Sequence, residues 1–147
     1  MGFSLSKIFG RNTSKNELLE GNSVETIIKE VENEPYGVSQ NNVLYAGLNE
    51  LGGYYFFQTV IVGSLKIKSK RGAILNFKGE DFEMQLEADM LEFESEFSGI
   101  PNRYVTKIDF KIEETTIKML EEATLKSVEI KIKNNTLIFT KYDLNAN

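Results

Sequence analysis

Residues 54–62 read YYFFQTVIV, a continuous run of aromatic and β-branched residues that decides the fold. Such a run is typical of a strand that is buried on both faces. It passes into the alternation Leu65-Lys66-Ile67-Lys68, which is typical of a strand near a sheet edge. Gly63 lies where the pattern changes, so we expect a bulge or bend there. The stretch predicts a long strand from Tyr54 to Ser69.

The chain that follows predicts further strands separated by turns. Ser69-Lys70-Arg71-Gly72 predicts a hairpin turn that returns the chain through residues 73–78, and Gly79-Glu80-Asp81 predicts the next turn. Apolar positions then alternate from Phe82 onward and change parity near Leu91. A one-residue shift sends every side chain to the opposite face, so this change requires a tight turn or a bulge.

The last third of the chain predicts a strand, a short helix and a hairpin. A strand is expected over residues 103–112, and a helix that starts at Thr115 or Thr116 and runs through Ala123. Inward positions of these elements are expected at Tyr104, Thr106, Ile108, Phe110, Ile112, Ile117, Leu120 and Met119. The hairpin is expected to pair residues 125–133 with 136–142 through a turn at Asn134-Asn135.

Element lengths favour antiparallel pairing throughout. A helix of about nine residues spans only about 13 Å, whereas strands of about eight residues run roughly 26 Å. A parallel crossover would therefore be stretched, and we expect the late helix to close an end or corner of the sheet.

The segment before Tyr54 predicts helices and loops. Asn22-Ser23 is expected to cap a helix from Val24 to about Asn33, and a second short helix is expected over residues 15–20. Segment 43–51, VLYAGLNEL, places leucines at helical spacing before the Gly52-Gly53 stop. These helices are expected to lie on the sheet.

Together these patterns predict one domain over residues 1–147. A helical and loop portion, residues 1–53, is expected to pack on a β-rich core, residues 54–142, before a frayed tail, residues 143–147. The fold class is α+β and predominantly antiparallel β, with short N-terminal helices and one short helix near residues 115–123. The sheet, sandwich or partly open barrel is expected to have about six to eight strands.

The composition excludes several classes of function. The chain has no cysteine and no histidine, which removes thiolate nucleophiles, the commonest general base and the commonest metal ligand. We therefore expect a protein that is not an enzyme and has no metal and no cofactor. Its net charge of −5 disfavours nucleic-acid binding, although an OB-like nucleic-acid binder stays open as an alternative.

The most distinctive chemical feature is a series of acidic residues between Glu80 and Glu96. Carboxylates on a strand could form a cation site or a basic-partner surface. Carboxylates that alternate along a strand line up in a row, whereas metal ligands must converge. We therefore expect a solvated face opposite lysines of neighbouring strands. A carboxylate-dependent hydrolase stays open as an alternative.

Two places in the chain suggest contact with a ligand or partner. Tyr54 and Tyr55 could line a pocket mouth, because four consecutive aromatic residues of a strand cannot all face one side. Arg103 and Tyr104 follow a loop, and Arg103 could bind an anionic group or pair with an acidic neighbour.

The N-terminus offers a further candidate. Phe3, Leu5, Ile8 and Phe9 could form a small amphipathic anchor for a membrane surface or a partner, in a peripheral membrane-associated protein. No apolar stretch is long enough for a transmembrane segment, so we expect a cytoplasmic protein. The leading hypothesis is a non-catalytic β-rich binding or scaffolding module for a protein partner, self or other, or a small apolar ligand.

Overall fold

The structure, a computed structural model, describes residues 23–143 of the 147-residue chain. Within them, the helices are α1 (Val24–Glu30) and α2 (Glu114–Glu122). The strands are β1 (Gly37–Val38), β2 (Asn42–Leu51), β3 (Tyr54–Gly63), β4 (Lys68–Ser69), β5 (Ile74–Gly79), β6 (Phe82–Glu87), β7 (Phe93–Glu94), β8 (Glu96–Phe97), β9 (Tyr104–Ile112), β10 (Leu125–Ile132) and β11 (Asn135–Lys141).

All strand pairs in this part of the chain are antiparallel, and the predicted α+β, mostly antiparallel class is confirmed. Nine strands form one curled sheet, an open half-barrel, in the order β6-β5-β10-β11-β1-β2-β3-β9-β8. β4 and β7 form a separate ribbon. The sheet thus has more strands than the six to eight expected.

β3 is a central strand whose two faces contact different apolar clusters. Phe57 and Ile61 point into the main core inside the curl, whereas Val60 and Val62 point to the outer face. There, Ile27 of α1 covers them and is fully buried. Burial on both faces explains why the part from Val60 to Val62 is continuously apolar.

Segment 43–51 is a strand, so the predicted helix is wrong. β2 pairs with β3 residue by residue, from Asn42 opposite Gly63 to Leu51 opposite Tyr54. Leu44 faces the main core while Val43 and Tyr45 face the cluster under α1. Because both faces are buried, leucines at helical spacing did not distinguish helix from strand. Residues 1–53 are therefore not only helix and loop, and Gly52-Gly53 is the turn of a hairpin.

α1 confirms the helix predicted from Val24, although it ends at Glu30 rather than near Asn33. The Ser23 hydroxyl accepts a hydrogen bond from the Thr26 backbone N–H at 3.2 Å, as an N-cap does. The predicted helix over residues 15–20 and the predicted tail over residues 144–147 lie outside the described residues. So do Phe3, Leu5, Ile8 and Phe9.

The strand predicted from Tyr54 to Ser69 ends early, at Gly63. Gly63 has a φ of +156°, and a Cβ there would lie 2.2 Å from the Asn41 carbonyl oxygen. The chain bends at this glycine, and the residues after it form β4, which pairs with β7. The turn at residues 69–72 leads into β5, but β5 pairs with β6 and β10 rather than with the preceding strand.

α2 crosses between β9 and β10, which are not neighbours in the sheet. Leu120 and Ile117 pack against the main core, as predicted. Met119 is 58% exposed, so its predicted inward position is wrong. The final hairpin turns at Lys133-Asn134, one residue before the predicted turn, with Lys133 in the left-handed region at φ 55°.

The acidic series lies mostly on exposed positions, in part opposite lysines as expected. Glu83 lies opposite Lys78, and Glu94 lies opposite Lys68. The parity change falls between β6 and β7, where the chain leaves the sheet. Leu91 is 63% exposed there, so it is not an inward-facing residue.

Candidate functional site

An open groove of about 760 Å³ lies between β6 and the end of β9. We call this cavity the groove. Its lining residues come from β3, β6, β9 and the start of α2: Tyr54, Tyr55, Phe56, Met84, Gln85, Leu86, Glu87, Asp89, Lys111, Ile112, Glu113 and Thr116. Its volume falls within the range of ligand pockets, roughly 300–1,000 Å³.

The groove exists because the curled sheet nearly closes at this place and then stops. Beyond β6, an isolated bridge joins Ala88 to Phe110, and the Asp89 N–H donates to the Asp109 carbonyl at 2.8 Å. Among the described residues, no further bridge joins β6 to β9. β9 ends at Ile112, where the chain leaves the sheet for α2, so most of β6 faces no strand on this side.

The inner wall of the groove is apolar. Leu86 and Ile112 are buried, Met84 is half-buried, and all three also contact the main core. Tyr54 stands at the rim and is 73% exposed. A ligand with an apolar part would cover the exposed surface of Met84 and Tyr54, and removing apolar surface from water is favourable at about 25 cal/mol per Å².

The rim of the groove is negatively charged. Glu87, Asp89 and Glu113 supply three carboxylates, and Lys111 supplies one ammonium group. Two further carboxylates lie close enough to Tyr55 to raise the pKa of its hydroxyl, first Glu114 and then Glu50, and desolvation acts in the same direction. This rim favours a ligand that carries positive charge beside its apolar part.

A pair of carboxylates lies beside the groove. Asp109 lies opposite Gln58 in the register of β9 and β3, on the outer face of the sheet. Partial desolvation, followed by the charge of Asp89, raises the pKa of Asp109. A hydrogen bond from Gln58 and the charge of Lys107 act in the opposite direction. The net effect is a raised pKa for the Asp109 carboxyl group.

The predicted contact residues separate into two places. Tyr54 and Tyr55 line the groove, whereas Arg103 and Tyr104 lie at the opposite end of the sheet. Tyr55 is opposite Ile112 and Gly63 is opposite Tyr104, a separation of eight residues, or roughly 26 Å along the strand. The sequence did not indicate that these candidates are so far apart.

Arg103 is 1% exposed, and its guanidinium donates to a Glu30 carboxylate oxygen at 2.5 Å. Arg103 therefore pairs with an acidic neighbour, which is one of the two alternatives that the sequence suggested. The pair links the residue before β9 to α1. Tyr104 packs against Phe97 with ring centroids 5.9 Å apart. The Lys66 ammonium lies 5.6 Å from the Tyr104 ring centroid, within cation–π range.

Sequence reasoning did not identify β6 and the end of β9 as groove walls. The alternating pattern predicted only core positions of separate strands for Met84, Leu86 and Ile112. The parity change near Leu91 was the available signal, since it marked where the chain leaves β6. Among the described residues, no cluster of three acidic side chains converges as a metal site would require.

Neither helix within residues 23–143 has the length and apolar character needed to cross a bilayer. Comparisons of the chain with protein-family models, with curated proteins and with solved structures found no match.

Proposed function

We propose that this chain is a non-catalytic binding module of the cytoplasm, and that the groove holds the apolar part of its ligand. The observation that carries the proposal is the groove itself, with an apolar inner wall inside an acidic rim. Tyr54 and Tyr55, the aromatic residues suspected from the sequence, line this groove. The absence of cysteine and histidine also favours binding over turnover.

Substitution of a wall residue tests this proposal. Met84 is half-buried in the groove wall, and Met119 on α2 is 58% exposed and is not a lining residue. We expect the neutral fluorescent dye Nile red to bind the wild type. Binding should weaken about tenfold in Met84→Ser, because a methionine side chain contributes roughly 1.5–3 kcal/mol when fully buried.

Met119→Ser is the matched control and should bind the dye as the wild type does. Circular dichroism checks that both variants are folded. Equal dye binding by the two variants, or no dye binding by the wild type, would contradict the proposed site.

A carboxylate-dependent hydrolase is a second candidate, favoured by the interacting Asp109 and Asp89 beside the groove. A carboxyl group with a raised pKa is suited to act as a general acid. If this candidate is correct, purified protein should hydrolyse at least one of a panel of p-nitrophenyl glycosides, and Asp109→Asn should abolish that turnover. A wild type that leaves the whole panel intact removes this candidate.

A further inference from the structure

β6 has an unpaired edge that borders the groove. Ala88, just after β6, donates its backbone N–H to the Ala73 carbonyl on the β5 side at 3.0 Å. Backbone groups alternate in direction along an antiparallel strand, so Phe82, Met84 and Leu86 also point their backbone groups toward β5. The intervening Glu83, Gln85 and Glu87 point theirs away from β5; we call these three residues the open edge.

Neighbouring bonds confirm the direction of the open edge. The Asp89 N–H, next in the same alternation, reaches across to the Asp109 carbonyl. All three open-edge residues are exposed. Within residues 23–143, β6 has β5 as its only strand neighbour in the sheet, and no turn or loop bond engages Glu83 or Gln85. The open edge therefore presents the backbone donors and acceptors of Glu83 and Gln85 to the groove, whereas the bridge between Ala88 and Phe110 directs the Glu87 carbonyl to the Lys111 N–H.

The two faces of β6 carry different side chains, and this difference indicates what kind of ligand would fit. The inner side chains, Met84 and Leu86, line the groove and contact the main core. The outer side chains include the carboxylates Glu83 and Glu87, and no salt bridge between described residues engages either of them. In a strand added here, the side chains on one face would lie beside an apolar surface, and those on the other face would lie beside carboxylates.

We propose that the open edge binds an extended segment of another polypeptide, in which apolar and basic side chains alternate, by adding it as a strand. This inference rests on the proposed function and names the ligand class of the same groove. Backbone hydrogen bonds supply affinity in this mode, and the alternate side chains supply specificity. Basic side chains on the outer face would pair with Glu83 and Glu87.

A second copy of this chain fits the open edge less well. Two β6 strands paired through their open edges would bring acidic outer faces together, and like charges directly opposite each other are destabilising. The same carboxylates favour a basic segment.

Three synthetic peptides of equal length test the inference. The first is acetyl-VKVKVKV-amide, the second has the same side chains with alternate backbone nitrogens methylated, and the third replaces each lysine with glutamate. We expect the first to bind, with reduced hydrogen exchange at the amides of Glu83 and Gln85. Both other peptides should bind at least tenfold more weakly.

Gln85→Pro tests the same bonds from the protein side. The Gln85 N–H points away from β5, so proline removes no bond of the existing sheet, and edge strands tolerate proline at such positions. Peptide binding should be at least tenfold weaker in Gln85→Pro than in Gln85→Ala, which loses the same side chain but keeps the backbone N–H. Nile red binding, which depends on the apolar wall, should differ little between these two variants.

The outcomes separate this inference from the proposed function. Equal binding of the methylated peptide, or of the glutamate peptide, overturns strand addition, while retained dye binding leaves the groove as an apolar site. If the wild type binds neither the dye nor the first peptide, both proposals are overturned. A native mass that doubles with concentration, together with protected open-edge amides, would assign the edge to a second copy and overturn the inference.

Discussion

The Arg103 guanidinium is the largest polar group that folding buries in the described part of the chain, and Glu30 is its charged partner. Removing one member of a buried ion pair typically costs about 3–5 kcal/mol. We expect Glu30→Gln to lower the free energy of unfolding by about 3 kcal/mol in urea denaturation. Glu34→Gln, at an exposed position, should change it by less than about 0.5 kcal/mol. Similar values for the two variants would show that the pair contributes little.

Asp109 should make stability depend on pH. Its pKa in the folded state lies above the ordinary value of 3.8, so the folded state binds more protons between these two values. Stability is therefore lost as the pH rises through this window and stays lower above it. Asp109→Asn removes the effect, so we expect a higher urea midpoint than the wild type at pH 7. This gain should disappear near pH 3, and a gain that is the same at both pH values would contradict the assignment.

At the scale of single elements, the bend after β3 depends on Gly63. Alanine there would bring its Cβ 2.2 Å from the Asn41 carbonyl oxygen, whereas Gly52 also has a positive φ but nothing within 4 Å of an added Cβ. We expect Gly52→Ala to cost about 1–2 kcal/mol, the price of left-handed backbone alone. Gly63→Ala should cost more than about 4 kcal/mol or prevent folding. Urea midpoints and the yield of folded protein measure the difference, and equal losses would contradict it.

The sequence predicted best those elements that have one buried face or clear capping or turn residues. The inward face of β9 from Thr106 to Ile112 was predicted residue by residue, because charged residues alternate with apolar ones. β2 was assigned to the wrong class because its Val43–Tyr45 part is buried on both faces. Of the groove, the local pattern indicated only Tyr54 and Tyr55, two of its twelve lining residues. The rest of the groove needs β6 and β9 to meet through the curl of the whole sheet, which no local pattern contains.

At the scale of the whole molecule, the two apolar clusters lie on opposite faces of the same strands. Leu44 faces one cluster and Val43 the other, so neither cluster can separate while β2 stays intact. We expect one cooperative unfolding transition over the described part of the chain. Urea curves from tyrosine fluorescence and from far-ultraviolet circular dichroism should coincide. An earlier loss of helical signal would show that α1 unfolds by itself.

β11 lies between β10 and β1, and its pairing brings Lys141 opposite Gly37, more than 100 residues earlier in the chain. Until β11 emerges from the ribosome, the block that contains β2, β3 and β9 is joined to the block that contains β5, β6 and β10 only by the isolated bridge between Ala88 and Phe110, among the described residues. High contact order of this kind gives folding times of milliseconds to seconds. During synthesis, the strand edges of β1 and β10 that β11 later covers are therefore unpaired. Exposed strand edges are prone to aggregation, so chaperones have most to protect in this interval.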